Sequence, residues 1–363
     1  MSVRRGGTVK GTRARVRRAP ALIAAGCALT LAASCAPAGN GSPAPAGHGP
    51  ASTAGRGSTG AADSRTADRS SARARYADAP STPSSAASTL SSSHASCTDP
   101  QASLNPASGP TDGPAVEAIR KRGRLIVGVD QNSYLWGFRD PATGQITGFD
   151  IDIVKAIAHA ILGDASKVQY LTVPTAQRIR MIQQHKVDMV VRTMTVNCDR
   201  ITQVAFSTAY FEAGQQLLVP KGSSIGGFDD SLRGKTVCTA TGSTGLAELR
   251  QGAHGARVLT VDNQLDCLVR VQLGLADAVF TDNALAAGQA AQDPWMHLVG
   301  HPVTQEPYGV AMNLDAPDLV RRVNQVLAAY RRGGPDSPWM RSYRTWLAAE
   351  LPGIAGPPRP AYK

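Results

Sequence analysis

From about residue 116 onward, apolar residues recur in two rhythms. Short continuous runs alternate with stretches whose apolar positions return every three or four residues. The first kind predicts buried strands and the second predicts helices with one apolar face. "RLIVGVD" (124–130) predicts a strand. "DIDIVKAIAHAIL" (150–162) predicts a helix with Ile153, Ile157 and Ile161 on one face and Val154 and Ala158 beside them. Further strands are expected at "VQYLTV", "VDMVVRT", "QLLVP", "KTVCTA", "RVLTV", "DAVFTD" and "MHLVG", and helices at "AQRIRMIQQHK", "STGLAELRQ", "NQLDCLVRVQL" and "NALAAGQAAQ". After "YGVAMN", two helices close the chain, at 317–332 and about 338–350. Alternation of this kind predicts an α/β fold of parallel sheets covered by helices. No repeat appears at solenoid periods.

The first 96 residues follow neither rhythm. Residues 1–18 carry seven basic side chains and no acid, and "ALIAAGCALTLAAS" follows at 21–34. That apolar segment is shorter than the roughly 20 residues a bilayer requires. Basic, apolar and small-residue regions in this order read as a secretory signal over 1–34. "LAASC" ends on Cys35 and resembles a bacterial lipobox, with Ala32 where leucine is usual. Lipidation at Cys35 is the expectation, with simple secretion as the alternative. Residues 36–96 are mostly Ala, Ser, Gly, Pro and Thr, and read as a flexible tether with too little apolar surface to fold.

Charge and cysteine content narrow the function. The chain has 363 residues and a formal net charge of +11, seven of which lie in the leader. The remaining +4 shows no basic stripe and no nucleic-acid motif, which excludes a nucleic-acid partner. Beyond the leader stand Cys97, Cys198, Cys238 and Cys267. An even number in an exported chain suggests two disulfides. None has the close spacing of a metal site, and no metal or cofactor is expected.

Candidate chemistry collects at strand ends, which face the ligand crevice in open α/β sheets. "VDMVVRTMTVNCDR" (187–200) runs from a core strand into Arg192, Thr193, Thr195 and Arg200. Arg200 is either a ligand grip or a surface arginine at the start of a helix. "TATGSTGLAEL" puts Gly242, Ser243 and Thr244 at a helix start, either as an anion site or as an ordinary N-cap. It lacks the lysine of a phosphate loop. Asp282 ends "DAVFTD" before a helix and is either a ligand carboxylate or a cap.

"GFDIDI", "VVRTMTVNCDR", "FSTAYFEAGQ", "GKTVC" and "EPYGVAMN" occur in an order that resembles the bacterial extracellular solute-binding proteins of family 3. "FRDPATG" and the four cysteines are similar to the glutamate/glutamine-binding lipoproteins of actinobacteria. The resemblance spans roughly 97–363. It implies a two-lobed clamshell of the periplasmic-binding-protein type: lobe 1 from 97–216, lobe 2 from 217–303, and a return to lobe 1 over 304–363. Hinge strands are implied near Ala213–Gln216 and Val303–Glu306. Arg200 would grip an α-carboxylate bidentately, with Thr193 and Thr195 beside it. Thr195 would donate its hydroxyl to the amino acid. Gly242, Ser243 and Thr244 would hold the same carboxylate from lobe 2, and Asp282 the α-ammonium. Thr175 and Arg178 match the distal grip of dicarboxylic amino-acid binders, whereas Asp130 matches an aspartate used by glutamine binders. If Asp130 pairs with a nearby basic group, the acidic ligand is favoured. Arg192 has no counterpart and is expected at the rim or in packing. Tyr134, Trp136 and Phe138 are candidates for an aromatic wall or for core. The bridges implied are Cys97–Cys198 and Cys238–Cys267.

The resemblance implies no enzyme and no cofactor. It implies a monomer on the extracellular face of the membrane, delivering a polar amino acid to a permease. Alternatives are a sensor subunit acting through a membrane partner and, further off, a cyclohexadienyl-dehydratase-like enzyme.

Overall fold

The computed structural model describes residues 97–363; the expected signal (1–34), Cys35 and the tether to residue 96 lie outside the described residues. Two five-stranded sheets form two lobes. In the first, the strands lie in the order Val168–Thr172, Leu125–Val129, Met189–Val190, Ala311–Met312, Ala205–Phe206. In the second the order is Arg257–Val261, Thr236–Ala240, Ala278–Asp282, Gln215–Pro220, Met296–Val299.

The sheets are mixed and not purely parallel. Ala311–Met312 runs antiparallel to both of its neighbours, and Gln215–Pro220 is antiparallel to Ala278–Asp282 and Met296–Val299. The chain leaves lobe 1 and later returns to it, and the crossing strands enter each sheet against the grain. An apolar run reports burial on both faces, not direction, so the sequence pattern could not tell these strands from parallel ones.

The helix Phe149–Leu162 buries Ile153, Val154, Ile157, Ala158 and Ile161 against lobe 1, as its periodicity predicts. The acids Asp150 and Asp152 in its first turn suit the positive helix end. "AQRIRMIQQHK" is shorter than expected: a 3₁₀ turn, Thr175–Gln177, leads into Arg178–Gln183. His185 then takes a positive φ of 51° and ends the helical path. A three-stranded sheet of Asn132–Ser133, Gly137–Arg139 and Ile146–Thr147 was not visible in the pattern, because its strands are two or three residues long.

Two chain crossings join the lobes. Phe211–Ala213 pairs antiparallel with Glu306–Tyr308, and this pairing meets the expected hinge segments at Ala213 and Glu306. Just beyond, Val303 donates its N–H to the Gln215 carbonyl at 2.9 Å. A Cβ at Gly214 would lie 2.4 Å from the Thr304 carbonyl oxygen, so the crossings can approach this closely only with glycine there.

Two disulfides are present, Cys97–Cys198 and Cys238–Cys267, with Cα separations of 5.8 and 5.4 Å. The first ties the start of the folded body to the short helix that carries Arg200. The second joins strand Thr236–Ala240 to helix Asp266–Gln272 inside the lobe 2 core. Replacing Cys238 and Cys267 together by alanine is expected to lower stability by about 2–4 kcal/mol. Urea unfolding under oxidising conditions checks this, and a loss below about 1 kcal/mol would contradict a stabilising role for the bridge.

Candidate functional site

The run "VDMVV" pairs in the lobe 1 sheet only at Met189–Val190. The chain then turns inward because Thr193 takes a left-handed φ of 40°, strained for a β-branched residue. Asp150 holds that turn. Its carboxylate accepts the Thr193 N–H at 3.1 Å and the Tyr210 hydroxyl at 2.8 Å. Burial drives the Asp150 carboxyl up to about 7 against those two bonds. The strand end therefore delivers Arg192, Thr193 and Thr195 to the space between the lobes. Helix Cys198–Ile201, capped by the Asn197 side chain, adds Arg200.

Three guanidinium groups are buried here. Arg200, 8% exposed, donates to the Thr195 carbonyl at 2.8 Å and across the cleft to the Gly242 carbonyl at 3.3 Å. Arg178 donates to the carbonyls of Thr175, Arg192 and Gly242 at 2.9, 3.3 and 3.4 Å. All three partners are neutral. Burial first, and then the like charges of Arg200 and Arg192, push the Arg178 guanidinium well below its ordinary value. Arg192 is no rim residue: at 3% exposure it bonds Thr175 Oγ1 at 3.0 Å and pairs with Asp130 at 2.8 Å. The Asp130 carboxyl sits below its usual range. Burial raises it, but Arg192 and hydrogen bonds from Ser133, Asn263 and the Asn132 N–H outweigh that effect.

Lobe 2 supplies the opposite sign. Asp282 ends strand Ala278–Asp282 and does not cap the helix that follows. Its carboxylate accepts the Tyr308 hydroxyl at 2.5 Å and the Gln215 amide. Burial, then repulsion from Glu306, pushes it up to about 7. Glu306, on the hinge, accepts hydroxyl protons from Thr195 at 2.5 Å and from Thr244 and Thr304 at 2.8 Å each. The Thr195 hydroxyl is therefore committed as a donor to Glu306 and turns its lone pairs elsewhere, which corrects the expectation that it donates to a ligand.

These groups line a small polar cavity between the lobes. Thr175, Arg178, Thr193, Thr195, Arg200, Ser243, Thr244 and Asp282 all line it. Two expected residues do not. Asp130 lies behind the wall in its pair with Arg192. Gly242 turns its carbonyl, not an anion-holding N–H, toward Arg178 and Arg200. Its φ of 76° and the 2.7 Å from its Cβ position to Ala176 Cα show that glycine is needed for the lobes to meet there. Ser243 is an N-cap: its hydroxyl accepts from Leu246 N–H at 3.0 Å and donates to the Ala240 carbonyl at 2.7 Å. Any anion hold at this helix falls to the first helical N–H groups, from Thr244 on, which have no intrahelical acceptor.

The cavity also takes in Ser133, Arg192, Gln215, Gln264, Thr281 and Leu285, none expected from sequence. Among the described lining residues there is no aromatic ring. Trp136 is fully buried in the lobe 1 core, edge-on to Phe149, Phe211 and Tyr308, and donates its indole N–H to the Ala284 carbonyl. Tyr134 and Phe138 pack edge to face with each other. A spacing signal could not have revealed Arg192 or Glu306, whose partners lie 62 and 111 residues away in sequence.

A cation from one lobe thus faces a carboxylate from the other across a small, nearly closed polar cavity. The chain is similar to the ABC transporter glutamine-binding protein GlnH of Bacillus subtilis, 37% identical over 63% of this chain and 83% of that protein. It is 42% identical to the glutamine-binding protein of Geobacillus stearothermophilus over 54% and 74% of the two chains. It is 28% identical to the glutamate/aspartate import solute-binding protein of Salmonella typhimurium over 67% and 82%. Among solved structures, an ancestral arginine-binding protein bound to glutamine superposes with a TM-score of 0.58 at 35% identity, covering 62% of this chain and 98% of that one. Residues 125–347 match the family that the motif order and the two-lobed architecture indicate, and the chain belongs to the bacterial extracellular solute-binding proteins, family 3.

Proposed function

We propose that this protein captures an acidic amino acid, glutamate or aspartate, between its lobes and hands it to an ABC-type permease. Family membership makes it a binding protein and not an enzyme. Arg200 takes the α-carboxylate, aided by N–H groups at the start of helix Thr244–Gln251. Asp282 takes the α-ammonium, and the acceptor lone pairs of the Thr195 hydroxyl face the same group. The single observation that carries the acidic reading is the partner set of Arg178: three carbonyls and no carboxylate. The charge of Arg192 is already matched by Asp130. A distal carboxylate beside Arg178 and Thr175 supplies the missing counter-charge. Asp130, neutralised, no longer favours an amide. Glutamine is the second reading, supported by the two relatives named for glutamine. The "LAASC" segment supports lipidation of Cys35 and residence on the extracellular face of the membrane.

Calorimetry with glutamate, aspartate, glutamine and asparagine tests the ligand assignment. Glutamate or aspartate is expected to bind tightest. Arg178→Ala is expected to cost that ligand about 2–5 kcal/mol, as for other buried charge pairs. Tight glutamine binding unaffected by the substitution would overturn the acidic reading.

Asp282→Ala is expected to weaken binding by about 3–5 kcal/mol, roughly two to three decades. Asp282 also makes the site pH-dependent, because it must be ionised to hold an ammonium and its carboxyl is pushed up to about 7. Affinity is therefore full above that pH and falls as pH drops through 7, approaching tenfold per unit. Stability of the unliganded protein moves the other way. Asp282 and Asp150 keep their protons in the folded state up to about 7 but lose them near 3.8 when unfolded, so their contribution weakens stability as pH rises between those values. Affinity that stays flat from pH 5 to 8 would show that the ammonium lies elsewhere.

A further inference from the structure

Gln264 lines the cavity from lobe 2 and is 4% exposed, yet the binding scheme above gives it no role. It precedes helix Asp266–Gln272. Backbone contacts fix which way its amide points. Its Oε1 accepts the Ala240 N–H at 3.2 Å, and its main-chain carbonyl accepts Gln289 Nε2 at 3.0 Å. Turning the amide over would set an NH₂ against the Ala240 N–H. The free end is therefore Nε2, a donor, and it has no hydrogen-bond partner. A buried donor without an acceptor is costly, and such groups in native proteins call for a partner.

The position indicates which partner. Asn263, the preceding residue, donates to Asp130 across the cleft at 3.2 Å. This loop of lobe 2 therefore faces the Asp130–Arg192 end of the cavity, opposite Thr175 and Arg178. Thr175 Oγ1 accepts from Arg192, which leaves its own hydroxyl proton to donate. We propose that Gln264 is a specificity-determining residue that donates its Nε2–H to the distal carboxylate of the ligand. The inference rests on the acidic-ligand reading and deepens it. The distal group is met only by donors, Arg178 and Thr175 from lobe 1 and Gln264 from lobe 2. The ligand side chain, and not just its α-groups, then bridges the lobes, so that side-chain choice and lobe closure are one event.

Gln264→Glu tests this with little change of shape. It keeps an oxygen for the Ala240 N–H and replaces the free donor with a negative oxygen. Glutamate affinity is expected to fall at least roughly 100-fold, the effect of setting a like charge against the ligand in a buried site. Glutamine, whose amide NH₂ can donate to the new oxygen, is expected to lose less than about tenfold. Gln264→Met, which removes the donor without adding charge, is expected to cost glutamate roughly tenfold, one charged hydrogen bond. Thermal unfolding of each unliganded variant confirms that it is folded, and the methionine variant carries the test if the glutamate variant is not. Unchanged affinity for both ligands, or equal losses for both in Gln264→Glu, would overturn the role of Gln264. A wild-type protein that prefers glutamine would overturn the acidic reading itself. In that case the glutamate-to-glutamine ratio in the two variants still decides whether Gln264 contacts the side chain.

Discussion

Seven ionisable side chains meet in the seam between the lobes: Arg178, Arg192, Arg200, Asp130, Asp150, Asp282 and Glu306. None is more than 8% exposed. Charges taken out of water must be paired or hydrogen-bonded, and this requirement organises the rest of the structure. Arg192 and Asp130 neutralise each other within lobe 1. Asp150 spends its carboxylate on the strained turn at Thr193. Glu306 gathers three hydroxyls at the hinge. Arg178, Arg200 and Asp282 remain, each held by neutral groups only, and they face the cavity. Two cations from one lobe and an anion from the other are the charges that the proposed acidic amino acid would complete.

The same seam explains how binding and closure are linked. Direct hydrogen bonds that bridge the lobes away from the hinge include the Trp136–Ala284 bond, the two guanidinium bonds to the Gly242 carbonyl and the Asn263–Asp130 bond. The bonds to Gly242 are long, at 3.3–3.4 Å. A ligand that contacts Arg200 and Asp282 together interacts better with the closed arrangement and shifts the population toward it. The close packing of Gly242 on Ala176 sets how far closure can go, since a side chain there would collide before the lobes met.

Much of this was legible in the sequence, and the unread part has a physical cause. Long apolar runs and the 3.6-residue period located nearly every large element, because burial imprints directly on residue type. Strand direction leaves no such imprint, so the mixed sheets came as a correction. Thr175, Arg178, Thr195, Arg200 and Asp282, which the family resemblance implied, line the cavity. Arg192, Glu306 and Gln264 were not implied. Their roles depend on partners brought close by the tertiary fold, and nothing local distinguishes them from surface charges and amides. Gly242 shows the reverse error: its position was expected, but its left-handed conformation presents a carbonyl where an N–H was anticipated.

The central claim is that the ligand's charges complete those of Arg200, Asp282 and Arg178. A crystal structure of the protein with bound L-glutamate tests it most directly. The account predicts the α-carboxylate on the Arg200 guanidinium, the ammonium on Asp282, and the side-chain carboxylate against Arg178 and Thr175. A ligand lying in the reverse direction, or one that leaves Arg178 bonded only to carbonyls, would contradict it.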